Sequence, residues 1–241
     1  MNNFTLKRWI SNHPKIYTIT DALLNIYTEI RYIIYKSYTK DQEDKIVMKI
    51  FKEMYNMKIS EIKYFDIGAN NYKRGNNTWL FYKNGASGIC VEADTFLCKK
   101  LKKRKKDIIV NAAITDFETN DSLKFYVCSL PTRSTLDKER AEKLKQEGLK
   151  IVNVLDIPCK TITNLCSETK IIPDYLSIDI EGLDFYVLKS IDFTKIPIKV
   201  IVAETDESKD ESGTTMDDFM QQSGYTITCK TTANTIYVRN K

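Results

Sequence analysis

The chain has 241 residues, 42% hydrophobic and 29% charged. These values describe one ordinary globular domain, or one with a smaller cap, and exclude a fibrous or largely disordered protein. No stretch reaches the ~18 uninterrupted apolar residues of a membrane span. Residues 1–9 lack the apolar core of a secretory signal, so a cytoplasmic location is expected.

The formal net charge of +5 is concentrated in residues 99–106, KKLKKRKK, where seven of eight side chains are basic. The run reads first as a solvated helix end, where cations complement the helix dipole. Contact with a membrane surface or a nucleic acid is the other reading of such runs. No aromatic residue interrupts it, so nucleic acid is not favoured. Cysteines stand at 90, 98, 128, 159, 166 and 229 with no C-x-x-C pair, which predicts free thiols in a reducing compartment and no zinc site. The single histidine, His13, lies far upstream of every motif below, so a histidine-based nucleophilic mechanism is not expected.

In chain order, residues 1–58 read as a helical N-terminal cap. Asp21 can cap a helix over 21–37, with Leu23, Leu24, Tyr27, Ile30, Ile33 and Ile34 at helical spacing. A second helix over 41–57 would bury Ile46, Val47, Ile50, Phe51 and Met54. These stripes are expected to pack on the main domain or on a partner subunit, giving a homodimer through the N-terminal helices. Peripheral membrane contact is the secondary reading.

Residues 59–241 form the expected catalytic domain. Strands at 62–67, 88–92 and 107–112 alternate with helices at 77–83 and 95–105, the rhythm of a parallel sheet covered on both faces. The middle section carries strands at 123–128 and 151–158 and helices at 137–147 and 161–168. Buried-type strands resume at 175–180 and 199–203, with a helix at 184–190 between them. Segments 225–229 and 235–238 are expected to pair antiparallel at the sheet edge.

Asp66-Ile67-Gly68-Ala69-Asn70 ends the first strand, at the carboxyl edge where open α/β sheets bind ligands. Gly68 lets chain and ligand approach closely. Glu92 ends the second strand, 24 residues after Gly68, the spacing at which an acid meets the two hydroxyls of an adenosine ribose. The G-x-G-x-x-G and Walker patterns are both absent, so an adenosine ligand without phosphates is expected, S-adenosylmethionine (SAM) being the common one. A second cluster, Asp179-Ile180-Glu181-Gly182, follows a buried strand, and Glu204 and Asp206 end the next. Asp179, Glu181 and Glu204 are candidates for removing a proton from an acceptor. Asp179, Glu204 and Asp206 could instead hold a divalent metal such as Mg through oxygen ligands, and Glu181 could simply cap the next helix. Tyr72, Trp79 and Tyr82 are read as core or as a carbohydrate-stacking wall.

The segments 64–70 and 176–182, with Glu92 and Val187-Leu188-Lys189, resemble the FkbM-type SAM-dependent methyltransferases. The 75–82 stretch and Ser134-Thr135-Leu136 fit a branch of that family. The resemblance implies an α/β, Rossmann-like class I methyltransferase fold, mostly parallel with an antiparallel C-terminal edge. It further implies O-methylation of a hydroxyl, often on a sugar or polyketide-type acceptor, and a place in polysaccharide biosynthesis. By position, Asp66, Gly68, Ala69 and Asn70 would form the SAM loop, Glu92 with Ala93 would take the ribose, and Asn111, Ala112 and Ala113 would flank adenine. Asp179 and Glu181 would lie beside the methionyl end and the acceptor. The chain departs from the pattern at Asn71-Tyr72, where many members carry a second glycine. Two other classes stay open on the residues alone: a metal-dependent sugar or phosphate-ester enzyme, and a non-catalytic α/β module docking on an anionic surface.

Overall fold

The computed structural model describes residues 14–205 and 209–241, without the side chains of 14–18 and 21. His13 and Asp206 lie outside the described residues. Helices are α1 (Pro14–Tyr35), α2 (Glu43–Met54), α3 (Trp79–Lys83), α4 (Thr95–Leu101), α5 (Lys138–Gln146), α6 (Ile162–Thr169), α7 (Asp184–Lys189) and α8 (Met216–Gln222). Strands are β1 (Lys63–Ile67), β2 (Ser87–Val91), β3 (Ile108–Val110), β4 (Ala113–Ile114), β5 (Ser122–Cys128), β6 (Ile151–Lys160), β7 (Tyr175–Ile178), β8 (Val200–Glu204), β9 (Tyr225–Lys230) and β10 (Asn234–Arg239).

Seven strands form one sheet in the order β3-β2-β1-β7-β8-β10-β9. The first five are parallel, and β10 runs antiparallel to both β8 and β9. This is the Rossmann-like methyltransferase arrangement with its antiparallel edge. The chain runs outward from β1 to β3 and returns to β7 beside β1, which creates a switch point at the carboxyl ends of β1 and β7. Register sets Asp66 beside Cys90 and Ser177 there.

Strand residues alternate between two cores because successive side chains point to opposite faces. Phe65, Ile67, Ile89, Leu176, Ile178 and Ile201 pack with Ile162, Leu165, Val187, Leu188, Met216 and Met220 from the helices. Tyr64, Cys90, Tyr175, Val200 and Val202 face the other way and receive Val47, Ile50 and Phe51 of α2 with Phe81 of α3. Helix α2 is therefore built into the core of the sheet. Its start is anchored by buried Asp44, which accepts from Ser37 Oγ at 2.6 Å and Tyr38 N at 2.8 Å.

Four differences from expectation have physical causes. Helix α1 starts earlier and turns its aliphatic stripe outward, with Leu23 58%, Ile30 49% and Ile33 66% exposed. Met54 is also exposed, because α2 ends there. Helix α4 stops at Leu101, and the turn that follows carries Arg104 inward until it is 1% exposed. The expected strand at 107–112 is cut to Ile108–Val110, while Ala113–Ile114 joins a separate three-stranded sheet of order β4-β6-β5. All six cysteines are free, with Cys90 and Cys128 buried.

Candidate active site

A cavity of about 250 Å³ opens at the switch point, between the carboxyl ends of β1, β2 and β7. Its lining includes Asp66, Gly68, Ala69, Asn70, Glu92, Ala93, Ala112, Ala113, Asp179 and Glu181. Asn111 and Glu204 do not line it. Asn111 instead donates through Nδ2 to the carbonyls of Glu92 (2.8 Å) and Ala93 (3.0 Å), clamping the loop after β2 from behind. Asn111 thus supports that wall from outside the lining. Of the two readings of Tyr72, Trp79 and Tyr82, packing is the one that holds: all three are absent from the lining. They pack on one another, with Trp79 stacked on Tyr82 at 5.1 Å and edge-on to Tyr72 at 5.5 Å.

The floor of the cavity is a closed polar network. Asp66 accepts from Asn76 Nδ2 at 2.8 Å and Thr78 Oγ1 at 2.6 Å, and Arg104 Nη1 stands at 3.4 Å. Arg104 also binds Asp107 through Nε at 2.6 Å, Tyr64 Oη at 2.8 Å and Thr78 Oγ1 at 2.9 Å. Burial raises the Asp66 carboxyl, against the pull of Arg104 and the two hydrogen bonds. Arg104 was hidden in the sequence inside a run of solvated lysines; the cue was its position just ahead of Asp107 and the next strand.

Gly68 has a second reason besides the one expected. A Cβ there would sit 1.9 Å from the carbonyl oxygen of Asp179, and φ is +75°. The glycine lets the loops after β1 and β7 touch, which fixes both sides of the cavity relative to each other. The loop's main-chain donors are spent within the protein. Gly68 N and Ala69 N both donate to Val91 O, at 3.0 and 3.1 Å, and Asn70 N donates to Glu92 Oε2 at 2.8 Å. A phosphate-binding loop needs such N–H groups free and aimed at the ligand; here they are not.

Glu92 takes Asn70 N on one oxygen and Asp94 N on the other, each at 2.8 Å. Burial pushes its carboxyl up to about 7, with those two N–H groups opposing. Each oxygen keeps one further lone pair, enough to accept from two vicinal hydroxyls, and Glu92 lines the cavity. Ala112, Ala113, Ile114 and Phe125 supply an apolar wall alongside.

The opposite end is acidic. Asp179 is open to the cavity yet closely surrounded by protein. Desolvation, then the charges of Glu204 and Asp66, push its carboxyl up to about 6. Glu181 adopts a left-handed backbone (φ 58°) ahead of Gly182 and pairs with Arg140, Nη2 to Oε2, at 2.5 Å. Burial, Glu204 and Asp179 still push it up to about 7. Asp184, buried behind them, is likewise pushed up to about 7 by burial and the neighbouring carboxylates. Glu181 thus serves as the partner of Arg140 rather than as a cap of α7, whose first turn carries Asp184. Among the described residues no group of three or more histidines, cysteines or carboxylates is arranged to hold a metal, and Asp206, the third member of the expected set, lies outside them. Arg140 has no sequence signal of its own, since α5 reads as an exposed charged helix.

The family model of the methyltransferase FkbM domain matches residues 66–227, well over half of the chain. The chain belongs to the FkbM methyltransferase family. Membership implies SAM as the methyl donor, and both ends of the cavity fall inside the matched region. Helices α1 and α2 precede the FkbM match and β10 follows it. Among solved structures, the FkbM chain is 11% identical to a candidate RNA methyltransferase from Pyrococcus horikoshii, with a TM-score of 0.41 over 82% of this chain and 84% of that one. A candidate methylase from Haemophilus influenzae is also 11% identical, with a TM-score of 0.38 over 83% and 88%. No curated protein sequence matches the chain.

Proposed function

We propose that this FkbM methyltransferase transfers a methyl group from SAM to a hydroxyl of a sugar or glycan acceptor. One observation carries the cofactor half: a ligand-facing loop whose N–H groups are already spent on Val91 and Glu92, beside a carboxylate with lone pairs to spare. That combination suits a ribose and disfavours a pyrophosphate. The apolar wall suits the adenine ring. SAM, when bound, supplies an electrophilic sulfonium methyl group whose leaving thioether needs no further activation.

The protein's part is then positioning and proton removal. Orienting two reactants can be worth about 7–11 kcal/mol, and the Gly68–Asp179 contact fixes the two sides of the cavity against each other. Asp179, at about 6, is mostly ionised at neutral pH and still basic enough to accept a hydroxyl proton, the balance a general base needs. Glu204 and Asp66 keep the local field negative and so maintain that basicity. Ser134, Thr135 and Asn77 give the acceptor end a hydrogen-bonding wall suited to a polyhydroxyl compound.

Calorimetry with S-adenosylhomocysteine tests the cofactor half. Binding is expected, and Glu92→Gln should weaken it by about tenfold, one hydrogen bond to a charged acceptor. A titration with no heat at any concentration removes SAM. Methyl transfer to a panel of sugars and nucleotide-sugars, read by mass, tests the acceptor half; a methylated nitrogen or carbon in place of oxygen overturns it.

A further inference from the structure

Helix α1 is amphipathic with the wrong face inward for a soluble domain. Ile19, Leu23, Ile26, Tyr27, Ile30, Ile33 and Ile34 share one stripe at helical spacing, and each is between 49% and 66% exposed. The side turned to the domain is polar and aromatic. Thr28 is buried, Arg31 donates to the carbonyls of Thr39 and Lys40, and Tyr32 stacks on Tyr38 at 4.5 Å. The aliphatic stripe is therefore not a misplaced core. It is held outward by specific polar contacts.

Lysines border this helix on one flank. Lys83 lies over the Tyr32 ring at 4.4 Å, and Lys73 pairs with Glu29 at 2.8 Å. Tyr72 is shared by Lys73 at 6.0 Å and Lys103 at 4.7 Å. Tyr38 meets Trp79, Trp79 stacks on Tyr82, and Lys106 sits over Tyr82 at 4.4 Å. An unbroken series of aromatic rings and lysines thus joins α1 to the basic run at 99–106, of which Lys99, Lys102, Lys103, Lys105 and Lys106 are exposed.

We infer that α1 lies flat in the surface of an anionic lipid bilayer, its aliphatic stripe among the acyl chains and the lysine flank on the headgroups. An apolar helical stripe of this kind can bind in the interfacial plane, and here the cationic surface comes from neighbouring elements, whose polybasic run adds attraction to anionic lipids. A second copy of the chain is the alternative occupant; the exposed lysines beside the stripe favour an anionic surface over it. No helix of the described residues is long and apolar enough to cross a membrane, which fits a helix that rests on one. The inference is independent of the methyl acceptor.

Co-sedimentation of the full chain with phosphatidylcholine vesicles, with and without phosphatidylglycerol, tests it. Binding is expected to be at least about tenfold stronger with the anionic lipid and to fall as salt is raised. The double variant Ile30→Asp/Ile33→Asp should lose binding, and Lys102→Glu/Lys105→Glu should weaken it; both pairs are solvent-exposed, so the thermal transition and S-adenosylhomocysteine binding should stay as in the parent. Failure to sediment with anionic vesicles overturns the inference, as does sedimentation that both variants retain. A parent dimer in light scattering that Ile30→Asp/Ile33→Asp converts to monomer, with no vesicle binding, assigns the stripe to a second copy instead.

Discussion

Asp66 and Asp179 stand at neighbouring strand ends, one on β1 and one just past β7, and both line the same cavity. Their surroundings are opposite. Asp66 is closed in by Arg104, Asn76 and Thr78, which all converge on its Oδ2. Asp179 has no such donors among the described residues: burial, then the charges of Glu204 and Asp66, raise its carboxyl, with Glu181 and Asp184 nearby. A buried carboxylate with a guanidinium is a structural tie; an open one among other carboxylates is poised to exchange a proton. The difference between fixing the site and working in it comes down to where the chain places Arg104.

The sharpest way to break that contrast is Asp179→Asn. Turnover should fall ~10²–10⁴-fold, the usual worth of a general base, with S-adenosylhomocysteine affinity changing less than tenfold. In the parent, kcat/KM should drop about tenfold per pH unit below about 6, and the Asn variant should lack that limb. A variant with full activity would make both ends of the cavity structural. Arg104→Met comes next. It strands two buried carboxylates, Asp66 and Asp107, and breaking a buried pair in this way costs ~3–5 kcal/mol, read as a lower midpoint in urea. A loss below ~1 kcal/mol would mean that the Asp66 network fixes nothing.

The acidic end should leave a mark on stability that runs against habit. Asp184 is buried with no cation against it, and its carboxyl lies at about 7 in the fold against 3.8 when unperturbed. A raised carboxyl means that the folded state binds more protons between those two values. The corresponding stability is therefore complete below about 4 and is lost as pH rises through about 7. The protein should melt higher at pH 5 than at pH 8. Asp184→Asn should flatten that dependence and gain about 1–3 kcal/mol at pH 8, after discounting the shift for relaxation of the site. A flat pH profile in the parent would show that the carboxylates are better solvated than the packing implies.

The same contrast explains what could be read from the residues alone. Strands β1, β2, β7 and β8 were legible because parallel strands buried on both faces are continuous apolar runs. The loop at 66–70, Glu92 and the 179–182 turn were legible because ligand chemistry sits at strand ends. Composition failed where an isolated residue is taken out of its neighbourhood. Arg104 looks like one more solvated cation until the turn after Leu101 swings it under the sheet. Helix α1 has the periodicity of a packed helix, and periodicity cannot say which way a stripe faces. Helix α8 has no legible apolar stripe, because its seven residues include Asp217 and Asp218, although Met216 and Met220 are fully buried. The second reason for Gly68 is invisible in the sequence, since the Asp179 carbonyl it must clear is 111 residues away in the chain.

The smallest expected effect is also the one that separates Asp179 from Glu181 at the acidic end. Arg140 is the cation nearest Glu181 and opposes the rise that burial and the neighbouring acids impose. In Arg140→Met the Glu181 carboxyl should move further up and stay protonated through neutral pH. Because Glu181 and Asp179 sense each other, their titrations belong to the pair, and a pH profile of the parent should contain two ionisations rather than one. Raising Glu181 should spread those ionisations apart, with kcat/KM at pH 8 reduced less than tenfold. Glu181→Gln should leave a single ionisation, that of Asp179, near 6 as in the parent, because Glu181 at about 7 is already neutral when Asp179 titrates. If the Gln variant instead loses the ionisation near 6 altogether, Glu181 is the proton acceptor and Asp179 the group that sets its field.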